Sequence, residues 1–141
     1  MEKETLVVTG AIIPHMGRVL MARRHYTSRF EPGKWEFPGG KVDFGEHPAD
    51  AIKREIKEEL GVDISVDRLY DISNHVYSDE KGQRHVILMF YLCRIISGAP
   101  SPLDCAEIGM MSRDDMSTLT VVEGDRGSVR TLIGDEGIWL S

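Results

Sequence analysis

Apolar residues first cluster in two β-rich runs, residues 6–13 and 18–23, separated by Pro14 and Gly17, which predicts two strands joined by a short turn. After a polar stretch over 25–34, residues 35–42 mix bulky strand formers with Pro38, Gly39 and Gly40. That pattern predicts a strand breaking into a loop. Pro48 suits a first helical turn, Gly61 suits a helix end, and a breaker-free periodic segment lies between them, so a helix is expected over about 47–60. Residues 67–77 and 84–96 flank a turn-like Ser78-Asp79-Glu80-Lys81-Gly82 and predict a long hairpin, with the arm 85–92 fully buried. A loop with Pro100 and Pro102 follows, then a strand at 108–111 and a short helix at 126–133. No repeat or low-complexity segment interrupts this order. It reads as an α+β layout, helices packed on a mixed sheet.

A length of 141 residues predicts one domain spanning 1–141. No apolar run approaches the ~18 residues that span a bilayer, and residues 1–4 do not open a basic, apolar, small-residue leader. The expectation is an intracellular, cytoplasmic protein with no membrane partner, with Cys93 and Cys105 as reduced structural thiols. A net charge of −6 argues against nucleic acid as a partner. Any bound phosphate must therefore find positive charge supplied locally.

The helix over 47–60 sorts its side chains into faces. At about 100° per residue, Ile52, Ile56 and Leu60 share one arc and Glu55, Glu58 and Glu59 the next. An amphipathic helix with a solvated side explains the apolar arc but not the acidic one. Glu58 and Glu59 fall in the last turn, where the helix dipole disfavours a carboxylate by ~0.3–1 kcal/mol. Glu55 and Glu59 repel at i,i+4 by ~0.2–0.5 kcal/mol more. A bound cation reverses these penalties. Converging carboxylates completed by water and phosphate oxygens suit Mg²⁺, with Mn²⁺ able to substitute, and a metal also answers how an acidic protein holds phosphates.

The spacing extends the argument. Gly40, five residues, Glu46, seven residues, then Arg54-Glu55-Ile56-Lys57-Glu58-Glu59-Leu60-Gly61-Val62 resembles the Nudix box, G-x5-E-x7-R-E-U-x-E-E-x-G-U, at every fixed position. Trp35-Glu36-Phe37-Pro38-Gly39-Gly40-Lys41, Arg23-Arg24 and Arg84-His85 resemble the MutT branch more loosely, and the likeness runs from about residue 5 to 116. It implies an α/β/α sandwich, a mixed sheet between helices, and a nucleotide substrate for a monomer or homodimer. By resemblance, Glu55, Glu58 and Glu59 are the metal-binding carboxylates, completed by a backbone carbonyl of Gly39 or Gly40. Glu46 matches a second-tier acid, and Arg54 the arginine that holds the catalytic glutamates Glu55 and Glu58 in place. Lys41 is placed to contact a phosphate.

By the same resemblance the general base is either a glutamate of the box, as in some members, or an acid on a later loop, for which two positions compete. Asp104 falls where the MutT branch carries a loop acid, whereas Glu107 fits the acid preceding a strand in other members and is preferred of the two. Arg23, Arg24, Phe37 and Arg84 correspond to residues around the nucleoside; Phe37 and Trp35 equally suit a core. MutT-type reading of oxidised guanine uses a late asparagine, and here the only asparagine is Asn74, so no strong 8-oxoguanine preference is expected. The resulting expectation is Mg²⁺-dependent hydrolysis of a nucleoside triphosphate to monophosphate and pyrophosphate. An ADP-ribose or dinucleoside-polyphosphate pyrophosphatase is the alternative enzyme. A non-catalytic nucleotide-binding module is the alternative of another class.

Overall fold

A computed structural model describes residues 2–140. Eight strands are present: β1 (Glu2–Ile12), β2 (Pro14–His15), β3 (Arg18–Arg23), β4 (Trp35–Glu36), β5 (Gly39–Lys41), β6 (Asp63–Asp79), β7 (Gly82–Ser97) and β8 (Glu107–Met111). The helices are α1 (Pro48–Leu60), α2 (Arg113–Thr118), α3 (Arg126–Ile133) and α4 (Glu136–Leu140), with a 3₁₀ turn at Glu123–Asp125. One mixed sheet has the order β5-β1-β7-β6, and a second joins β2, β3 and β4, with β8 on the other side of β3. β1 runs parallel to β7 from Glu2↔Gly82 to Ile12↔Leu92, and the other pairs are antiparallel. The expected short turn is the two-residue Met16-Gly17, both at positive φ, which matches the twist of a tight hairpin. It joins β2 to β3, however, because the chain changes sheets near Ile13.

The long hairpin is real and tighter than expected, since β6 and β7 meet across Glu80 and Lys81 alone. Its second arm is not uniformly buried. Val86, Leu88 and Phe90 turn inward while Ile87 and Met89 are only half-buried, as period-two alternation demands of a strand with differently covered faces. On one face, Ala11, Tyr91 and Cys93 pack against Ile52, Ile56 and Leu60 of α1. On the other, Ile12, Leu88 and Phe90 pack with Val19, Met21, Met116 and Leu132. Helices thus cover both sides of the sheet, the sandwich that the resemblance implied. The unanticipated α2 begins with a capping box, Ser112 and Asp115 each bonding the other's backbone.

Candidate active site

α1 forms where the sequence places it. His47 caps the start through its side chain, Pro48 fills the first turn, and Gly61 closes the end at φ 74° with its N–H on the Lys57 carbonyl. Ala51, Ile52, Ile56 and Leu60 are fully buried, and this apolar stripe fixes which way the acidic arc faces. Glu55, Glu58 and Glu59 line one cleft together with Arg24, His25, Glu36, Gly39 and Asp104.

Arg54 is the hub of that arc. Its Nε and Nη2 donate to both Glu46 oxygens at 2.9 Å, its Nη1 reaches Glu55 at 2.9 Å and Glu58 at 3.3 Å, and Nη2 also donates to the Lys41 carbonyl at 3.0 Å. The expected orienting role is therefore broader than one i,i+4 pair: Arg54 ties the loop before the helix to the helix itself. Arg54, then the Asp43 N–H, holds the Glu46 carboxyl down at about 2. Glu59 is the opposite case. It is 8% exposed, and burial, then the nearby Glu36 charge, push it up to about 8, against the Gly39 N–H that it accepts at 3.2 Å.

A divalent cation fits this donor set on its chemistry. Hard oxygen donors line one cleft, and a buried carboxylate crowded by like charges is stabilised in its ionised form by a cation. Among the described residues no group of three His, Cys, Asp or Glu converges in metal-ligating geometry, since Glu55 and Glu58 are turned onto Arg54. Two glycines make the close approach possible. A Cβ on Gly40 would collide with the Glu55 carboxylate, and one on Gly39 with the Thr9 carbonyl. Of the two, Gly39 borders the carboxylate cleft, while the Gly40 carbonyl accepts from the Thr9 hydroxyl at 3.1 Å.

The two loop acids part company. The Asp104 N–H and the Leu103 N–H both donate to the Glu59 carbonyl, and the Ser101 N–H to that of Leu60. The loop thus satisfies the orphan carbonyls at the helix end and delivers Asp104 to the cleft, 3.1 Å from His25 Nε2. Glu107 instead begins β8 and pairs with Arg23 at 2.9 Å. Asp104 lines the carboxylate cleft and Glu107 does not.

The expected nucleoside cluster is also divided. Arg24 donates to Glu36 at 3.1 Å and lines the cleft beside Gly39 and Val8. Arg23 points to the other side of β3, over the Tyr26 and Trp35 rings at 5.1 and 5.7 Å. Phe37 is a core residue, 4% exposed and edge-on to Phe90 with centroids 5.3 Å apart, so only its margin borders the cleft. Lys41 stands at the cleft rim. Arg84 lies at the far end, bonded to Glu4 at 2.6 Å and over the Phe30 ring at 5.3 Å.

One residue lining the pocket beside the cleft escaped the sequence reading. Trp35 pairs with the late segment, its N–H on the Thr120 carbonyl and its carbonyl taking the Val122 N–H. This carries Asp125 to the cleft, where its Oδ2 accepts the Phe37 N–H at 2.9 Å. Asp125 is 3% exposed; burial, then the charge of Glu36, raise its carboxyl well above the usual range. Glu36 is raised too by burial, partly offset by Arg24, although 27% of its side chain still meets the cleft. Asn74 sits exposed on β6, bonded to His85.

A NUDIX domain model matches residues 3–132. The chain belongs to the Nudix family. The match reaches beyond residue 116, where the motif likeness had faded. The chain is 38% identical over 93 residues to an 8-oxo-dGTP diphosphatase of Proteus vulgaris, covering 65% of this chain and 79% of that one. It is 44% identical over 59 residues to the CTP pyrophosphohydrolase of Escherichia coli, 42% and 43% of the two chains. It superposes on a MutT NUDIX hydrolase from Burkholderia pseudomallei with a TM-score of 0.79 and 30% identity, over 90% and 97% of the chains. With every box carboxylate in place, this Nudix protein is a pyrophosphohydrolase of nucleotide diphosphate bonds, not a silent binding module.

Proposed function

We propose that this Nudix enzyme hydrolyses a nucleoside triphosphate to a monophosphate and pyrophosphate with Mg²⁺, in the cytoplasm. The observation that carries this is one groove with two chemistries. Arg24, Glu36 and Gly39 line both the carboxylate cleft and the adjoining pocket floored by Val8, Leu88 and Phe90 and closed by Asp125. The triphosphate lies at the α1 end and the base at the Asp125 end.

Glu55, Glu58 and Glu59, with the Gly39 carbonyl, would hold Mg²⁺, which when bound neutralises phosphate charge and polarises the phosphorus centre. Arg54 holds Glu55 and Glu58 at the edge of the cleft through its hydrogen bonds. Asp104 takes the proton from the attacking water as the water oxygen bonds to phosphorus and the P–O bond of the α–β bridge breaks, its electron pair leaving on the bridging oxygen with whichever product, monophosphate or pyrophosphate, did not receive the water. Lys41 contacts a phosphate from the rim. At the base end, Asp125 in its protonated form offers a donor beside an acceptor, and Glu36 offers a further acceptor. That set suits bases with an exocyclic amino group over uracil or thymine. The test is a panel of nucleotides with Mg²⁺ scored by product. Monophosphate plus pyrophosphate from guanine, cytosine or adenine triphosphates supports the reading. AMP plus ribose phosphate from ADP-ribose, with triphosphates inert, defeats it.

A further inference from the structure

We propose that this chain forms a two-fold homodimer in which residues 72–78 of β6 pair antiparallel with the same residues of a second copy. β6 is the outermost strand of its sheet, hydrogen-bonded to β7 on one side only. Its two halves differ. The first half has register irregularities at Val66/Arg68 and Leu69/Asp71 and carries Asp67, Arg68 and Asp71. Bulges and charges of this kind are how natural edges avoid unwanted pairing. The second half has neither. From Ile72↔Met89 to Ser78↔Gln83 it runs in unbroken register, and the sequence Ile72-Ser73-Asn74-His75-Val76-Tyr77-Ser78 contains no proline, Asp, Glu, Lys or Arg.

The backbone there is oriented for a new strand. Odd residues of β1 bond toward β5, so in the parallel register Ile87 and Met89 bond toward β1; their partners Asn74 and Ile72, and by alternation Val76 and Ser78, turn their backbone groups outward. Their side chains share one face, with Ile72 and Val76 56% and 48% exposed. The cluster that α1 covers on this face includes Met89, Tyr91 and Cys93 but not Ile72, Val76 or half-buried Ile87.

A second copy is the occupant that this edge fits. A two-fold axis at Asn74 sets Asn74 against its own equivalent and Ile72 against Val76 of the other copy, an apolar cross-strand pair on each side. Asp71 then faces Tyr77. Moving the axis to residue 75 would instead set Asp71 against Asp79, two like charges. With each copy at −6, a contact without charged side chains inside the paired stretch is also the one that costs least in repulsion. The ladder is short, so a reversible dimer near micromolar strength is expected, at the small end of about 1,200–2,000 Å² interfaces. The groove described above lies on the opposite face, with Val86 and Leu88, and stays open.

Sedimentation equilibrium of the full chain tests this. The wild type should shift from monomer to dimer mass across the micromolar range. Val76→Lys should hold it monomeric with unchanged melting temperature and unchanged nucleotide hydrolysis. Asn74→Pro, which removes an outward N–H, is the second variant and should do the same. A wild type that stays monomeric throughout, or a dimer that survives both substitutions in folded, active protein, overturns the proposal. Mass added by a foreign polypeptide without self-association overturns it too.

Discussion

The two ends of the groove are built in opposite ways. At the phosphate end, Glu46, Arg54, Glu55, Glu58 and Glu59 come from one helix and the loop before it, and their geometry follows from a period of 3.6 residues. At the base end, Val8, Arg24, Glu36, Leu88 and Asp125 come from five separate segments, brought together by sheet pairing and by the bridge from Trp35 to the late chain. On the proposed reading, the reaction chemistry is encoded locally because one helix brings its carboxylates to one side. On the same reading, base selection is encoded by tertiary packing, which would let relatives share a reaction while differing in substrate.

The sharpest way to break this contrast is to disable the local end. Glu58 is 59% exposed and crowded by acidic neighbours, so Glu58→Gln should leave the melting temperature unchanged or slightly raised. Turnover should fall about 100-fold or more, since charge stabilisation in the transition state is lost. Thermal unfolding and steady-state kinetics with Mg²⁺ check both halves. Normal turnover would remove Glu58 from the metal site.

Next in size is the loop that caps the end of α1. Asp104→Asn should lower kcat by about 100-fold, the usual contribution of a positioned base, with KM little changed. Glu107→Gln should stay within about twofold, because its partner Arg23 faces away from the groove and an exposed pair contributes little. The reverse ranking would restore Glu107 as the base.

This split also explains what was legible beforehand. The helix was readable because Pro48, Gly61 and the Ile52-Ile56-Leu60 stripe are local signals, and the acidic arc followed from it. Asp104 and Glu107, only three residues apart, could not be separated by spacing. Loop residues capping the helix carbonyls deliver one, while strand pairing delivers the other to Arg23. Arg23 and Arg24 looked alike for the same reason, since adjacent positions project to opposite sides. α2 did carry a local signal in Ser112-Arg113-Asp114-Asp115, the pattern of a capping box. Asp125 carried none, because nothing in its neighbourhood says that Thr120 and Val122 will bond to Trp35.

A smaller effect separates Arg24 from Arg23. Arg24→Gln should raise KM for the triphosphate about tenfold, leaving Glu36 without its ion-pair partner inside the groove, a loss typical of a charge-assisted hydrogen bond. Arg23→Gln should alter KM little. Equal effects from both would mean that the nucleoside reaches across β3 and that the groove is drawn too narrowly.

The smallest effect concerns Asp125 and has a definite sign. Burial raises its carboxyl well above the usual range in the folded protein, while in the unfolded chain the group titrates near 3.9. Between those values the unfolded state sheds its proton and the folded state keeps it, so stability is fully present at acid pH and declines as pH rises past the ordinary carboxylate range. Asp125→Asn keeps an oxygen for the Phe37 N–H but cannot ionise. Its melting temperature relative to wild type should therefore rise by a few degrees between pH 5 and pH 8. In the same variant an amide replaces the buried carboxyl beside the base, so the ratio of kcat/KM for guanine and cytosine triphosphates should change without a matching loss of kcat. An unchanged ratio with a changed stability profile would make Asp125 a structural buried acid and return base selection to Glu36 and Arg24.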